Sequence, residues 1–189
     1  DTIVIPILNM FKTGAKIKEY IPEVKCLEGC IYISAFIDAP GKIVHAGDTF
    51  KVFFGNPYNE DVKEEIMEQV VSDLKSAGVT AGISDDILRD TFKKFSFISA
   101  FAATGDAGAI HREGEIREFY KSLVREIIEI GKAMGVNTSP TLFEDDMTTM
   151  DSFGDDIKTS LQRDLEAGKN SEIDTLIFGV SRLGKQYGV

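Results

Sequence analysis

SLQRDLEAGKNSEID, residues 160–174, sets a hydroxyl and a carboxylate around a helix, a glycine stop and a fresh helix start. Its reading is a helix from Ile157 to Ala167 closed by Gly168 as C-cap, followed by a last helix from Glu172 to Tyr187. Ser160 falls in the middle of the first helix and Glu172 at the mouth of the second. Ser171 and Asp174 form a capping-box-like S-x-x-D around that mouth. A segment arranged in this way reads as a wall facing a small substrate.

Upstream, helical periodicity holds back to residue 58. Val62, Ile66, Val70 and Leu74 share one helix face. Ser84 is a good N-cap for a helix from Asp85 that is nearly apolar all round between Phe95 and Ala103, the mark of a central buried helix. Ile116, Phe119, Tyr120, Leu123, Ile127 and Ile130 stripe the next helix, which stops near Gly135, and a shorter one follows Pro140.

Before Gly55-Asn56-Pro57 the pattern is that of strands. Ile3 to Leu8 is a continuous β-branched and apolar run, as in a parallel sheet buried on both faces. Lys12 to Tyr20 is a short polar helix ended by Pro22. CIYISAFI, KIVHAG and FKVFFG read as three short strands, with turns at Pro40-Gly41 and Gly47-Asp48. Asp1 runs straight into TIVIPILN with no lead-in, which suggests that something upstream has been removed. The expected division is residues 1–57, a partial sheet, and residues 58–189, all helical.

A chain of 189 residues, 43% hydrophobic, is long enough to bury a real core. Its 31 acidic against 21 basic side chains give a net charge of −10, which repels nucleic acid phosphates and anionic lipid, so neither is expected as a partner. No apolar run reaches the length of about 20 residues that spans a bilayer, and the chain reads as cytoplasmic. Cys26 and Cys30 form a lone C-x3-C, and with only His45 and His111 beside them they read as reduced thiols, with no metal site expected. The acid-rich FEDDMTTMDSFGDD, residues 143–156, lacks the oxygen-ligand order of a calcium loop and reads as a solvated face.

Four side chains are candidates for chemistry. Lys94 lies among Phe95, Phe97, Ile98 and Phe101, where its stem loses solvation for the charged head, which favours proton donation. Donation suits a carbonyl reduction, in which charge grows on oxygen as hydride reaches carbon. The plainer alternative is an (i, i+4) pair with Asp90. Glu172 either accepts a hydrogen bond from substrate hydroxyls or simply favours a helix dipole. Ser160 either contacts substrate or back-bonds to its own helix. Asn9, just beyond the first strand, lies where open α/β sheets place ligand contacts, and is equally a common turn residue.

IPILN (5–9), GCIYISAFIDAPGKIVHAG (29–47), SDDILRDTFKKFSFISA (84–100) and SLQRDLEAGKNSEID (160–174) follow one another as in the ketopantoate reductases, and the chain resembles that family over almost its whole length. The resemblance implies NADPH-dependent reduction of 2-dehydropantoate or a related 2-oxo acid, a step of pantothenate synthesis. It implies a mainly α fold whose helical domain resembles the C-terminal domain of 6-phosphogluconate dehydrogenase, preceded by a remnant sheet of a Rossmann-type domain. By the same resemblance Lys94 is the general acid, Glu172 binds the substrate hydroxyl, Ser160 contacts its carboxylate, and Asn9 lies near the nicotinamide and substrate. A homodimer is compatible with it.

Two departures stand out. The positions of the family's two asparagines after the catalytic lysine are Ile98 and Ala102 here, which permits a more apolar 2-oxo acid. The G-x-G-x-x-G loop that would hold pyrophosphate is absent, GDAG at 105–108 not being that motif, so the chain alone is expected to be inactive. The competing reading is a non-catalytic helical module whose apolar helices make an oligomer interface.

Overall fold

The computed structural model describes residues 2–189, so Asp1 and the expectation attached to it lie outside the described residues. The chain forms two compact units, Asp1–Thr91 and Phe92–Val189. The fold class is the expected one, a sheet-bearing unit followed by a helical one.

In the first unit, strand β1 (Ile3–Val4) lies parallel to β2 (Lys25–Cys26), with helix α1 (Thr13–Tyr20) between them in sequence. The strand expected to run to Leu8 stops after Val4, because Pro6 has no N–H to give to a ladder. A long hairpin follows, β3 (Glu28–Ala39) and β4 (Lys42–Gly55), turning at Pro40-Gly41 as expected, with Gly41 at φ 76°. KIVHAG and FKVFFG are one strand rather than two. Ile33 pairs with Phe50 and Ala35 with His45, so residues 46–49 of β4 oppose Ser34 alone. Gly47, at φ 75°, makes this bulge and not a turn.

Helix α2 (Glu64–Ser76) then leads to β5 (Thr80–Ile83), which runs parallel to β4 and completes the order β3-β4-β5. This strand corrects the expectation of helices alone beyond residue 57. Leu27, Val52, Phe54 and Val79 form the core of this unit.

The start of α1 is built on a buried acid. Glu28 is 1% exposed, and its Oε1 accepts from the amides of Gly14 (2.7 Å) and Ala15 (3.3 Å) and from the Tyr58 hydroxyl (2.6 Å). A carboxylate there meets the free N–H groups and the positive end of the helix dipole. Burial raises the pKa of Glu28, opposed by those same hydrogen bonds. Gly14 permits the approach, since a Cβ on it would stand 2.2 Å from the Leu27 carbonyl oxygen.

From Ile87 on the chain is helical: α3 (Ile87–Thr104), whose first five residues fall in the first unit, then α4 (Ala107–His111), α5 (Glu115–Ala133), α6 (Leu142–Asp151), α7 (Ser160–Glu166), a π-helical turn (Asp174–Phe178) and α8 (Gly179–Tyr187). Helix α3 begins two residues later than expected. Ser84 Oγ accepts from the Asp86 amide at 3.1 Å, and Asp86 in turn accepts from the Arg89 amide at 3.0 Å. GDAG opens α4, where the Asp106 side chain caps by accepting from the Ala109 amide.

From α3, Phe95, Phe97 and Phe101 are buried as expected, and Phe92 is buried with them. The rings of Phe97, Phe101 and Phe153 meet pairwise with centroids 5.6–6.0 Å apart. The expected stripe of α5 is buried only in part. Tyr120, Ile127 and Ile130 are covered, whereas Ile116 and Phe119 are 45% and 52% exposed. Among the described residues no helix is long and apolar enough to cross a membrane.

Candidate functional site

Lys94 lies in the second turn of α3 and is half-buried, with Phe95 buried beside it. The turn that carries it is pinned to α6 on either side. Lys93 Nζ donates to Asp145 Oδ2 at 2.7 Å, and Ser96 Oγ donates to Asp146 Oδ2 at 3.1 Å. Asp90, the partner proposed for Lys94 by the plainer alternative, accepts from Ser84 Oγ at 2.6 Å and from Arg89 Nε at 3.0 Å. Ile98 and Ala102, one and two turns beyond Lys94, offer no side-chain polar atom, the first half-buried and the second buried.

The acid-rich stretch around α6 is largely the solvated face its composition suggested, with Glu144, Asp151, Asp155 and Asp156 exposed, and Asp146 is the exception. Asp146 is 2% exposed, and burial pushes its carboxyl up to about 7, against the Ser96 hydrogen bond and the Lys93 charge. The Tyr120 hydroxyl of α5 is buried without a hydrogen-bond partner, and burial and the Asp146 charge both oppose its ionisation. Asp151 takes a two-pronged contact from Arg117 at 2.8 and 3.0 Å, which holds its pKa below the ordinary carboxylate value. Asp155 accepts from His111 Nδ1 at 2.7 Å, while His111 Nε2 lies 2.9 Å from the Met150 carbonyl.

Ser160 is not in mid-helix. It is the exposed first residue of α7, directly after Thr159, which forms a capping box with Gln162. Lys158 and the residues before it are loop, which moves the helix start three residues beyond Ile157. Glu172 is half-buried just ahead of the π-helical turn, and its carbonyl accepts from the Leu176 amide at 2.9 Å. The capping box expected at Ser171 and Asp174 is replaced by an ion pair, because Asp174 receives Arg182 at 3.0 and 2.9 Å. A π-helical turn inserts an extra residue into the ladder, a distortion that recurs at functional sites.

Lys94, Ser160 and Glu172 therefore belong to one compact unit, and Asn9 belongs to the other. Asn9 is half-buried in the bend between β1 and α1, where Thr13 Oγ1 donates to the Met10 carbonyl at 2.7 Å. The start of α1 offers no seat for a pyrophosphate, because the Glu28 carboxylate already occupies it. Cys26 and Cys30 are both buried. The T-x-x-Q spacing of Thr159 and Gln162 is a local capping signal, whereas Glu28 and Asp146 carry none, because their partners come from distant parts of the chain.

A family model described as the C-terminal part of ketopantoate reductase PanE/ApbA matches residues 86–189, and one described as ketopantoate reductase PanE/ApbA matches residues 1–59. Among curated proteins, the chain is 28% identical over 181 residues to "Uncharacterized oxidoreductase YkpB" of Bacillus subtilis (strain 168), covering 93% of this chain and 59% of that protein. It is 29% identical over 185 residues to the 2-dehydropantoate 2-reductase of Mesorhizobium japonicum, covering 94% and 55%. Two solved structures, each covering the whole chain, superpose with a TM-score of 0.85. They are the 2-dehydropantoate 2-reductase of Methylococcus capsulatus (22% identity, 61% of that chain) and D-mandelate dehydrogenase with NADH and anilino(oxo)acetate (21% identity, 63%). The chain thus spans little more than half the length of the curated relatives it matches. At these identities the superpositions speak to the fold alone.

Proposed function

Because the chain belongs to the ketopantoate reductase PanE/ApbA family, we propose that the intact protein reduces a 2-oxo acid with a nicotinamide cofactor, 2-dehydropantoate or a close analogue being the substrate class. The observation that carries this reading is the order of the two family matches, which together take in nearly the whole chain. The cofactor, when bound, supplies hydride to the carbonyl carbon. The start of α1 gives its phosphates no seat, and by this reading they are held by the part of the protein that the chain does not span.

In this reading Lys94 donates an Nζ proton to the carbonyl oxygen as charge develops there, leaving a hydroxyl on the product, and regains a proton from solvent. Lys94 is half-buried on α3, a helix whose other residues include the buried Phe92, Phe95 and Phe97. Ser160 binds the substrate carboxylate and Glu172 accepts from its hydroxyl. Asn9 lies near the nicotinamide and substrate, and NADPH is the assigned donor, with NADH the competitor. A second substrate reading rests on Ile98 and Ala102: without polar groups there, a more apolar 2-oxo acid is accommodated.

The test is Lys94→Ala in the full-length protein, with turnover measured for both cofactors over a panel of 2-oxo acids. A fall in kcat of about a hundredfold to ten-thousandfold with unchanged folding is expected. Unchanged turnover would remove the catalytic role of Lys94, and an absence of turnover in the unmutated full-length protein would leave the non-catalytic alternative, in which the exposed Ile116 and Phe119 serve self-association.

A further inference from the structure

Gln162 is a heavily committed polar side chain of the helical unit. It is 9% exposed and uses both ends of its amide. Its Oε1 accepts from the Thr159 amide at 2.7 Å and from the Thr159 hydroxyl at 3.1 Å. Its Nε2 donates to the Phe101 carbonyl at 3.2 Å and to the Gly105 carbonyl.

The two acceptors lie at the C-terminal end of α3, where a helix leaves carbonyls without intrahelical partners. One side chain therefore closes the start of α7 and the end of α3 at once. Leu161, 2% exposed, completes the attachment by burying its side chain in the same turn. Ser160 stands between Thr159 and Leu161, so every bond that fixes this turn also fixes the Ser160 backbone.

We propose that Gln162 is a positioning residue, which holds Ser160 at a set place relative to the helix that carries Lys94. The proposal rests on the reading of Ser160 as the group that binds the substrate carboxylate. It separates two duties along α3. The Lys94 turn is held by α6 through Lys93–Asp145 and Ser96–Asp146, and the far end of α3 is held by Gln162. Loss of the Gln162 bonds shifts Ser160 and leaves the Lys94 turn in place. The signature is a change in KM for the 2-oxo acid with kcat preserved, the mark of lost binding shared by ground and transition states.

The experiment compares Gln162→Glu, Ser160→Ala and the double variant in the full-length protein. Glutamate keeps the acceptor toward the Thr159 amide and loses both donations to α3. Gln162→Glu is expected to raise KM for the 2-oxo acid about tenfold, the loss of about one hydrogen-bonded contact. Its kcat and its KM for the cofactor should stay within about twofold, and Ser160→Ala should add nothing further in the double variant. Should the glutamate variant fail to fold, Gln162→Met, neutral and of similar length, is read by the same criteria.

An unchanged KM, a fall in kcat instead, or a fully additive double variant overturns the positioning role. If Ser160→Ala alone leaves KM unchanged, the substrate role of Ser160 falls and the inference with it. The Lys94→Ala result reads the reductase assignment separately.

Discussion

Replacing Asp146 by asparagine should stabilise this protein at alkaline pH and do almost nothing at acid pH. The carboxyl lies buried on α6, receives Ser96 Oγ, and titrates at about 7, against 3.8 for the free side chain. A raised carboxyl pKa means that the folded state binds the proton more tightly than the unfolded one. Folding therefore carries no penalty from this group below about pH 4, loses stability between about pH 4 and 7, and carries the full penalty above. At about 1.4 kcal/mol per pH unit the gap amounts to about 4 kcal/mol, an upper value because a strained site relaxes and admits water. Asparagine keeps an acceptor for Ser96 and carries no charge to desolvate.

The assay is urea unfolding of wild type and Asp146→Asn between pH 4.5 and 8.5. The expected gain is about 2–4 kcal/mol at pH 8.5, or about 5–15 °C in Tm for a chain of this size, shrinking to about 0.5–1 kcal/mol at pH 4.5. A difference that is the same at both ends of the range, or a variant less stable at pH 8.5, would refute the reasoning.

Gly131 of α5 faces the ring of Phe92, and a Cβ there would stand 2.3 Å from Cζ. Gly131→Ala should therefore destabilise by about 1–3 kcal/mol in thermal unfolding, although alanine is the better helix former by about 1 kcal/mol. His111 has its pKa raised above 6.5, first by the Met150 carbonyl and then by Asp155. Its contribution is thus complete below pH 6.5 and lost as pH rises through the folded value. In an Asp146→Asn background, His111→Ala should flatten the remaining decline of Tm between pH 6 and 8.5, and an unchanged slope would discount this pair.

Much of the helical unit was legible because its signals are local. The span of α5, the stop at Gly168 and, in the first unit, the turn at Gly41 each rest on residues within a few positions of one another, and each recurs in the structure at or near its expected place. The strand β5 escaped notice because VTAGI is too short for its period to show, and only pairing with β4 makes it extended. Ser160 looked mid-helical because Ile157 fits the helical spacing, whereas the Thr159–Gln162 box starts the helix later. Gly47 looked like a turn, and the unbroken pairing on either side of it makes a bulge.

Sequence alone determined the class: residues 160–174 and their three companion blocks carry the family, and apolar spacing carries the helices. Tertiary structure alone decided which charges are buried. Glu28 and Asp146 are ordinary acids by composition and take their roles from partners 13–50 residues away along the chain, while Gln162, besides its local bonds to Thr159, reaches partners as far as 61 residues away. Periodicity reports the burial of apolar faces, which repeats along an element. The desolvation of a single carboxylate depends on which distant elements close over it, and that closure leaves no repeating trace in the chain.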